Sequence, residues 1–374
     1  MCVCAARSAC ALGAGSWSAP VILLEDTGRY SSLEFDAQGR VHLAFYDYLN
    51  GDLWYGSRSP EADWVFETVD TEGLVGTFAS LEVDPNGRAH IAYGELYDYK
   101  LKYAVRQGPD DWVIETVDAG SGRGWYSSLA LDSAGRPHIA YSGNQEWDLL
   151  HAWHDGLTWR YETIESAGDV GLYCTLALNS ADLGRISYCD KDNNHTKFAW
   201  QQSGGEWTTE VVDDSGDTGI DTTLVLDNDQ NPHIAYWDRG NDALKYAWHD
   251  GQTWQTQIVE AGTDCGYEAS IRWKDGPHIS YEGSSGARYA RNLGDGWQFW
   301  QIDQTGLTCG DTALALDAAG EPAIAYLNLG TGHLYYARDL VVPEPGGLVL
   351  LTLAGIVLGR RRPSRALASG RQGP

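Results

Sequence analysis

One short pattern recurs seven times along the chain and leaves few folds open. The segment Arg136-Pro137-His138-Ile139-Ala140-Tyr141 has relatives at 41–45, 89–93, 185–188, 232–236, 277–281 and 322–326, spaced 45 to 48 residues apart. Each copy follows a strand-like run ending in a turn, such as Ser32-Leu33-Glu34-Phe35-Asp36 or Ser80-Leu81-Glu82-Val83-Asp84. Each precedes an aromatic-rich run such as Leu244-Lys245-Tyr246-Ala247-Trp248, a Gly-containing turn, and in most copies a fourth run opened by Trp. Four short strands punctuated by Asp, Gly, Asn and Pro form one unit. A repeat of that length and content is a propeller blade, because one twisted sheet cannot bury both its faces and a radial stack of sheets can. The expected fold is all-β: a seven-bladed propeller of four-stranded blades spanning residues 17–340.

The tryptophans settle how the ring closes. Trp17, Trp64, Trp112, Trp159, Trp207, Trp254 and Trp297 are mostly 47 or 48 residues apart. The last repeat ends at Leu334-Tyr335-Tyr336-Ala337 without a fourth strand, and the first Trp run, 17–26, has no three strands before it. Residues 17–26 are therefore expected to form the outer strand of the last blade, which removes an exposed sheet edge. That run carries about two extra residues before its acidic end, so a register shift is expected there.

Composition narrows the partners. The chain has 26 Lys and Arg against 52 Asp and Glu. Five of the basic residues and one of the acidic ones lie beyond residue 340, so residues 1–340 carry a net −30. Such a field repels nucleic acid and anionic lipid and tolerates cations; solubility in a salty habitat accounts for it equally well. The 16 Trp and 21 Tyr against 6 Phe and 1 Met suit broad packed faces with polar edges, or carbohydrate surfaces.

The tail has its own signature. Val342-Pro343-Glu344-Pro345 precedes an uncharged apolar stretch, 346–359, and then Arg360-Arg361-Arg362. The stretch is short for a full membrane span, and the arginines mark a cytoplasmic side. Motif, hydrophobic helix and basic cluster in this order resemble the PEP-CTERM sorting signal of Gram-negative bacteria. The resemblance covers about the last 30 residues and implies an exosortase-type processing enzyme, a C-terminal helix in the membrane, and delivery to the cell envelope or extracellular matrix. Residues 1–16 show no sustained apolar region and are expected to be a degenerate leader or disordered.

Features that repeat around a ring read as scaffold. His42, His90, His138, His233 and His278 occupy one position per blade, too far apart to converge on one ion, and are expected to pack between blades. Asp36, Asp84, Asp132, Asp227 and Asp317 precede turns that usually contain Gly and are expected to cap them. Their placement only loosely resembles the Asp-box of sialidase-like propellers, whose Ser/Thr-x-Asp-x-Gly-x-x-Trp spacing is not met. Asp190, Asp192 and Asn194 resemble the start of a calcium loop, without its Gly or its closing acid. No other cofactor is expected. Seven Cys show no zinc spacing. Cys265 with Cys309, and Cys174 with Cys189, are candidate disulfides.

Function is expected where the loops joining strand four to the next strand one, and strand two to strand three, share a face. The first set places Tyr30, Phe78, Tyr126, Tyr173, Asp221, Glu268 and Asp311 near the central channel mouth. The second places Asp47, Glu95, Asp190, Trp237 and Asp238 around it. Aromatic rings stack on sugar faces, and carboxylates accept sugar hydroxyls or hold a cation. Two functions follow. One is a monomeric, non-catalytic surface or matrix protein binding glycan or protein. The other is a glycosidase or polysaccharide lyase using top-face carboxylates, which needs two acids at a set separation or a Tyr/His base beside an Arg.

Overall fold

A computed structural model describes residues 17–339, apart from 121, 144–146, 263, 304 and 306–308. The expected leader (1–16), the sorting motif Val342–Pro345, the apolar stretch 346–359 and Arg360–Arg362 lie outside the described residues. Among the described residues no helix is long and apolar enough to cross a membrane.

Seven antiparallel four-stranded sheets form the propeller. The inner strands, one per blade, are Arg29–Phe35, Val75–Val83, Trp125–Leu131, Val170–Leu178, Ile220–Leu226, Ser270–Trp273 and Cys309–Leu316. Six blades use four consecutive strands. The seventh takes its outer strand, Val21–Leu24, from the chain's beginning, paired to His333–Arg338. Its register slips between Ile22 and Leu24, a bulge that absorbs the extra residues. Beyond it, Trp17 bridges to Asp339 and meets the Tyr289 ring edge-on at 5.2 Å. The Trp17 run thus closes the ring as its spacing requires.

The repeated aromatic and charged residues fasten blade to blade. In four of the seven blades the Trp that opens strand four donates its indole N–H to a Glu on the outer strand of the preceding blade: Trp112 to Glu67, Trp159 to Glu115, Trp207 to Glu162, Trp254 to Glu210. A buried Tyr on strand two donates to the acid that ends the preceding blade: Tyr93 to Asp70, Tyr141 to Asp118, Tyr188 to Glu165, Tyr236 to Asp213, Tyr281 to Glu260. A Lys or Arg from strand three completes several of these sites, as Lys102 does on Asp70, Lys245 on Asp213 and Arg288 on Glu260. Pairing of this kind offsets the cost of burying these polar groups.

The histidines do more than pack between blades, as His233 does against Trp273 of the next blade at 4.1 Å. They are links in a relay within one blade. Asp36 accepts from the backbone N–H of Gln38 and Arg40, capping its turn as expected, and its second oxygen lies 3.3 Å from Nε2 of His42. Nδ1 of His42 shares a 2.6 Å hydrogen bond with the Tyr55 hydroxyl. His233 repeats this with Asp227 and Tyr246, and His90 and His278 bind Tyr103 and Tyr289. His138 meets His151 instead. Burial pushes all five below the usual histidine value, His138 and His278 to about 4.

Candidate functional site

The inner strands converge on a cavity of about 610 Å³. At its mouth the inner strand bulges, with a shift of register, in six of the seven blades. One residue per blade is forced into the left-handed region: Tyr30, Phe78, Tyr126, Tyr173, Asp221, Glu268 and Asp311, with φ between 47° and 54°. Non-glycine residues rarely adopt this conformation. The bulge turns these seven side chains into one rim. The next residue ties neighbouring bulges together. Ser31 donates to the Asp311 carbonyl, Ser127 to Phe78, Thr222 to Tyr173 and Thr312 to Glu268, at 2.7–2.8 Å.

The rim has two unlike halves. Tyr30, Phe78, Tyr126 and Tyr173 make a continuous arc whose ring centroids lie 4.5, 4.6 and 4.4 Å apart. Trp125 extends the arc outward, 5.4 Å from Phe78, with Tyr99 and Trp147 beyond it. Asp221, Glu268 and Asp311 complete the circle on three adjacent blades. The backbone N–H of Glu268 donates to Asp221 at 3.3 Å. Burial pushes all three above the carboxylate range, Asp221 to about 7; Asp311 and Asp221 push Glu268 further up, while the Tyr30 backbone N–H and Arg29 hold Asp311 down in part. Glu282, beside them, is pushed to about 8 by burial and by Asp264, Asp221 and Asp311. The Tyr30 hydroxyl is itself pushed up to about 12 by burial and Asp311, so it is no ready base.

Below the rim runs a layer of hydroxyls. Ser32 accepts from the Leu81 backbone, Ser80 from Leu129 and Ser128 from Leu176, each at 2.9–3.0 Å. Deeper still, Glu34, Glu82 and Arg272 face the cavity where the other blades have Ala130, Ala177, Val225 and Ala315. Arg272 binds Glu34 at 2.5 Å, and burial raises Glu82 in the company of Glu34. This layer was missed in the sequence, although charge at a position that is otherwise small and apolar was the available signal.

The strand-two acids do not join the rim. Asp47 accepts from Thr27 Oγ1, the Leu49 N–H and Asn50 Nδ2. Glu95 accepts from the Tyr97 and Asp98 N–H groups, and Asp238 from both nitrogens of Asn241. These are buried hairpin caps, so they correct the expectation that they face a ligand. Trp237 stands beside Tyr267, edge-on at 5.2 Å.

The calcium candidates are also dispersed. Asp190 is taken by Asn193, Asp192 accepts from the Asp169 N–H, and Asn194 holds a left-handed turn. Among the described residues no group of three His, Cys, Asp or Glu is arranged to hold a metal ion.

Neither candidate disulfide is present: Cys174, Cys189, Cys265 and Cys309 are free and buried. Cys189 pairs in register with Leu172 rather than Cys174, and Cys174 Sγ donates to the Tyr126 carbonyl at 3.1 Å, where other blades use a hydroxyl. Cys265 packs among Leu244, Val259 and Tyr281, while Cys309 packs among Trp300, Ile302 and Tyr326. Burial raises the thiols of Cys174, Cys189 and Cys265 to about 12 and that of Cys309 well above its usual value, so these four stay protonated near neutral pH.

The rim acids have a consequence for stability. Above about pH 7.5 the histidines are neutral both folded and unfolded, so there the raised carboxyls dominate. They hold protons in the folded chain that the unfolded chain has already lost, so unfolding free energy falls as pH rises. We expect a loss of about 1–2 kcal/mol between pH 7.5 and 8.5 by urea titration. Asp221→Asn should flatten the slope, and a rise with pH would contradict the protonated rim.

No protein-family model and no curated protein matches the sequence. Solved structures do. A polysaccharide lyase of family PL25, an ulvan lyase bound to a GlcA–Rha3S oligosaccharide, aligns over 87% of this chain and 96% of its own at 13% identity, TM-score 0.57. A variant of Aleuria aurantia lectin in complex with α-methyl-L-fucoside aligns over 74% of this chain and 95% of its own at 17% identity, TM-score 0.52. A Dyadobacter fermentans protein of unknown function aligns over 86% and 98% at 12% identity, TM-score 0.52. At such identities the likeness is one of fold.

Proposed function

We propose that this chain is a non-catalytic glycan-binding propeller, displayed at the envelope or in the extracellular matrix of a Gram-negative bacterium. The observation that carries the binding reading is the divided rim, with a continuous aromatic arc facing three acids across a cavity of about 610 Å³. Cavities of this size suit small ligands or one end of a chain. The arc offers apolar ring faces to the C–H face of a sugar, and the acids accept its hydroxyls. The structural neighbours include a lectin and a polysaccharide lyase, which agrees with a glycan ligand. The display reading rests on the Val342–Pro345 motif, the apolar stretch and Arg360–Arg362. An exosortase-type enzyme and the membrane are the partners it implies.

The test is a glycan array probed with the full chain. Saturable binding without product is the expected result. Tyr126→Gly should weaken it about fivefold or more, since an aromatic contact contributes about 1 kcal/mol or more. Glycine adopts the positive φ at this position freely, so the fold is kept. New reducing ends or unsaturated products would make the protein an enzyme instead.

A further inference from the structure

The cavity's charge is lopsided. Its wall carries five carboxyl side chains, Glu34, Glu82, Asp221, Glu268 and Asp311, against one basic side chain, Arg272. Arg272 is spent on Glu34, and among the described residues that is the one ion pair within the wall. Oε2 of Glu268 is sealed from solvent and has no hydrogen-bond partner. One other cation acts at the mouth: Arg29, over the Tyr48 ring at 5.6 Å, lowers Asp311, and lowers Glu268 by less than Asp311, Asp221 and Glu282 raise it. Apart from Arg29, the groups facing the acids from neighbouring elements are Glu282, with Asp264 beside it, Tyr30, Tyr267 and Tyr173, none of them cationic. A cavity built this way rejects uronic and sulfated sugars. It lacks one thing, a positive charge delivered from outside.

Resting on the glycan-binding reading, we infer that the rim takes a free amino sugar, a hexosamine without its N-acetyl group, with its ammonium among Asp221, Glu268 and Asp311. The aromatic arc receives the apolar face of the same or the adjoining sugar ring. An ammonium offers three donors, which matches three acids on adjacent blades. Without ligand, the acids relieve their mutual repulsion by holding protons. An arriving ammonium replaces those protons, so binding releases them to solvent. Affinity therefore rises with pH through the range in which the acids titrate, until the amine itself is neutralised.

The full chain is titrated calorimetrically with a β-1,4-linked glucosamine trimer, its N-acetylated counterpart, an oligouronate and spermidine, each in two buffers of different ionisation enthalpy. The glucosamine trimer should bind at least about tenfold tighter than the N-acetylated one, the scale of one close charge pair. Proton release should accompany it, and the oligouronate should not bind. Asp221→Asn keeps the acceptor for the Glu268 N–H; it should abolish the preference while leaving the melting transition cooperative. Equal affinity for both trimers, no proton release, or a preference that survives Asp221→Asn overturns the amino-sugar assignment and leaves glycan binding standing. Spermidine binding as tightly, with the same dependence on Asp221, overturns the sugar part of the assignment. Failure of every glycan on the array to bind overturns the glycan-binding reading itself.

Discussion

A chain shortened to begin at residue 27 is expected to lose its cooperative unfolding transition and to aggregate. The deletion removes Val21–Leu24, the outer strand of the seventh blade, and leaves the backbone of His333–Arg338 as an open edge. An unpaired edge of this kind templates association with other chains. It also removes Leu23 and Leu24 from a cluster containing Leu334 and Tyr336, and Trp17 from one containing Tyr289. Burying those side chains contributes about 4 kcal/mol in total, a large share of the roughly 5–15 kcal/mol that holds a folded protein together. The ring multiplies the loss, because the open seventh blade no longer locks the first blade against it. Light scattering and thermal melting check this. A shortened chain that stays monomeric and melts within about 3 °C of the full one would show that closure is dispensable. A synthetic peptide spanning residues 15–27 should restore part of the transition, as the strand pairs through its backbone and needs no covalent link.

That closure was legible in the sequence because it rests on counting. Seven tryptophans at nearly constant spacing need seven outer strands, and only residues 17–26 were left to supply the last. The rim was legible for a related reason: aligning the repeats places Tyr30, Phe78, Tyr126, Tyr173, Asp221, Glu268 and Asp311 in one column, whatever their chemistry. The bulge that turns them inward was not legible, since left-handed φ at a Tyr or Phe has no sequence signal of the kind Gly provides. Asp47, Glu95 and Asp238 misled because an acid at a hairpin looks the same whether it faces a ligand or caps its own turn. Only the positions of the Leu49, Tyr97 and Asn241 N–H groups distinguish the two. The cysteines misled through spacing alone. Cys174 and Cys189 lie on adjacent strands, yet the bulge sets Cys174 two residues out of register. Glu34, Glu82 and Arg272 were overlooked because a charged residue in mid-strand normally reads as a solvated face, whereas an inner propeller strand turns that face toward the cavity.

The fastenings between blades carry the other large expected effect. Asp213→Ala should lower unfolding free energy by about 3–5 kcal/mol, the cost of leaving a buried charge without its partner. Asp213 is buried at the end of the fourth blade and accepts from the Tyr236 hydroxyl at 2.6 Å, from the Lys245 ammonium and from the Ser215 N–H at 2.9 Å. Burial alone would raise its pKa. Lys245, Tyr236 and Ser215 outweigh that and hold it below the usual value. The sign follows: this contribution is full above the unfolded carboxyl range near pH 4 and is lost as pH falls through the lower folded value. Alanine strands the Tyr236 hydroxyl and leaves Lys245 with only Asp238, 3.6 Å away, and the Ser215 hydroxyl. Asp213→Asn should cost less, because the amide oxygen still accepts one bond. The double variant Asp213→Ala with Lys245→Met should recover part of the loss, since the stranded ammonium goes with its partner. Urea titrations of the three variants at pH 7 decide the matter. If Asp213→Ala costs under about 1 kcal/mol, the value of a solvent-exposed pair, the blades are held by apolar packing and the buried acid is incidental. If the double variant is worse than the single, Lys245 is stabilised by Asp238 rather than Asp213, and the fastening lies within the fifth blade instead of between the fourth and fifth.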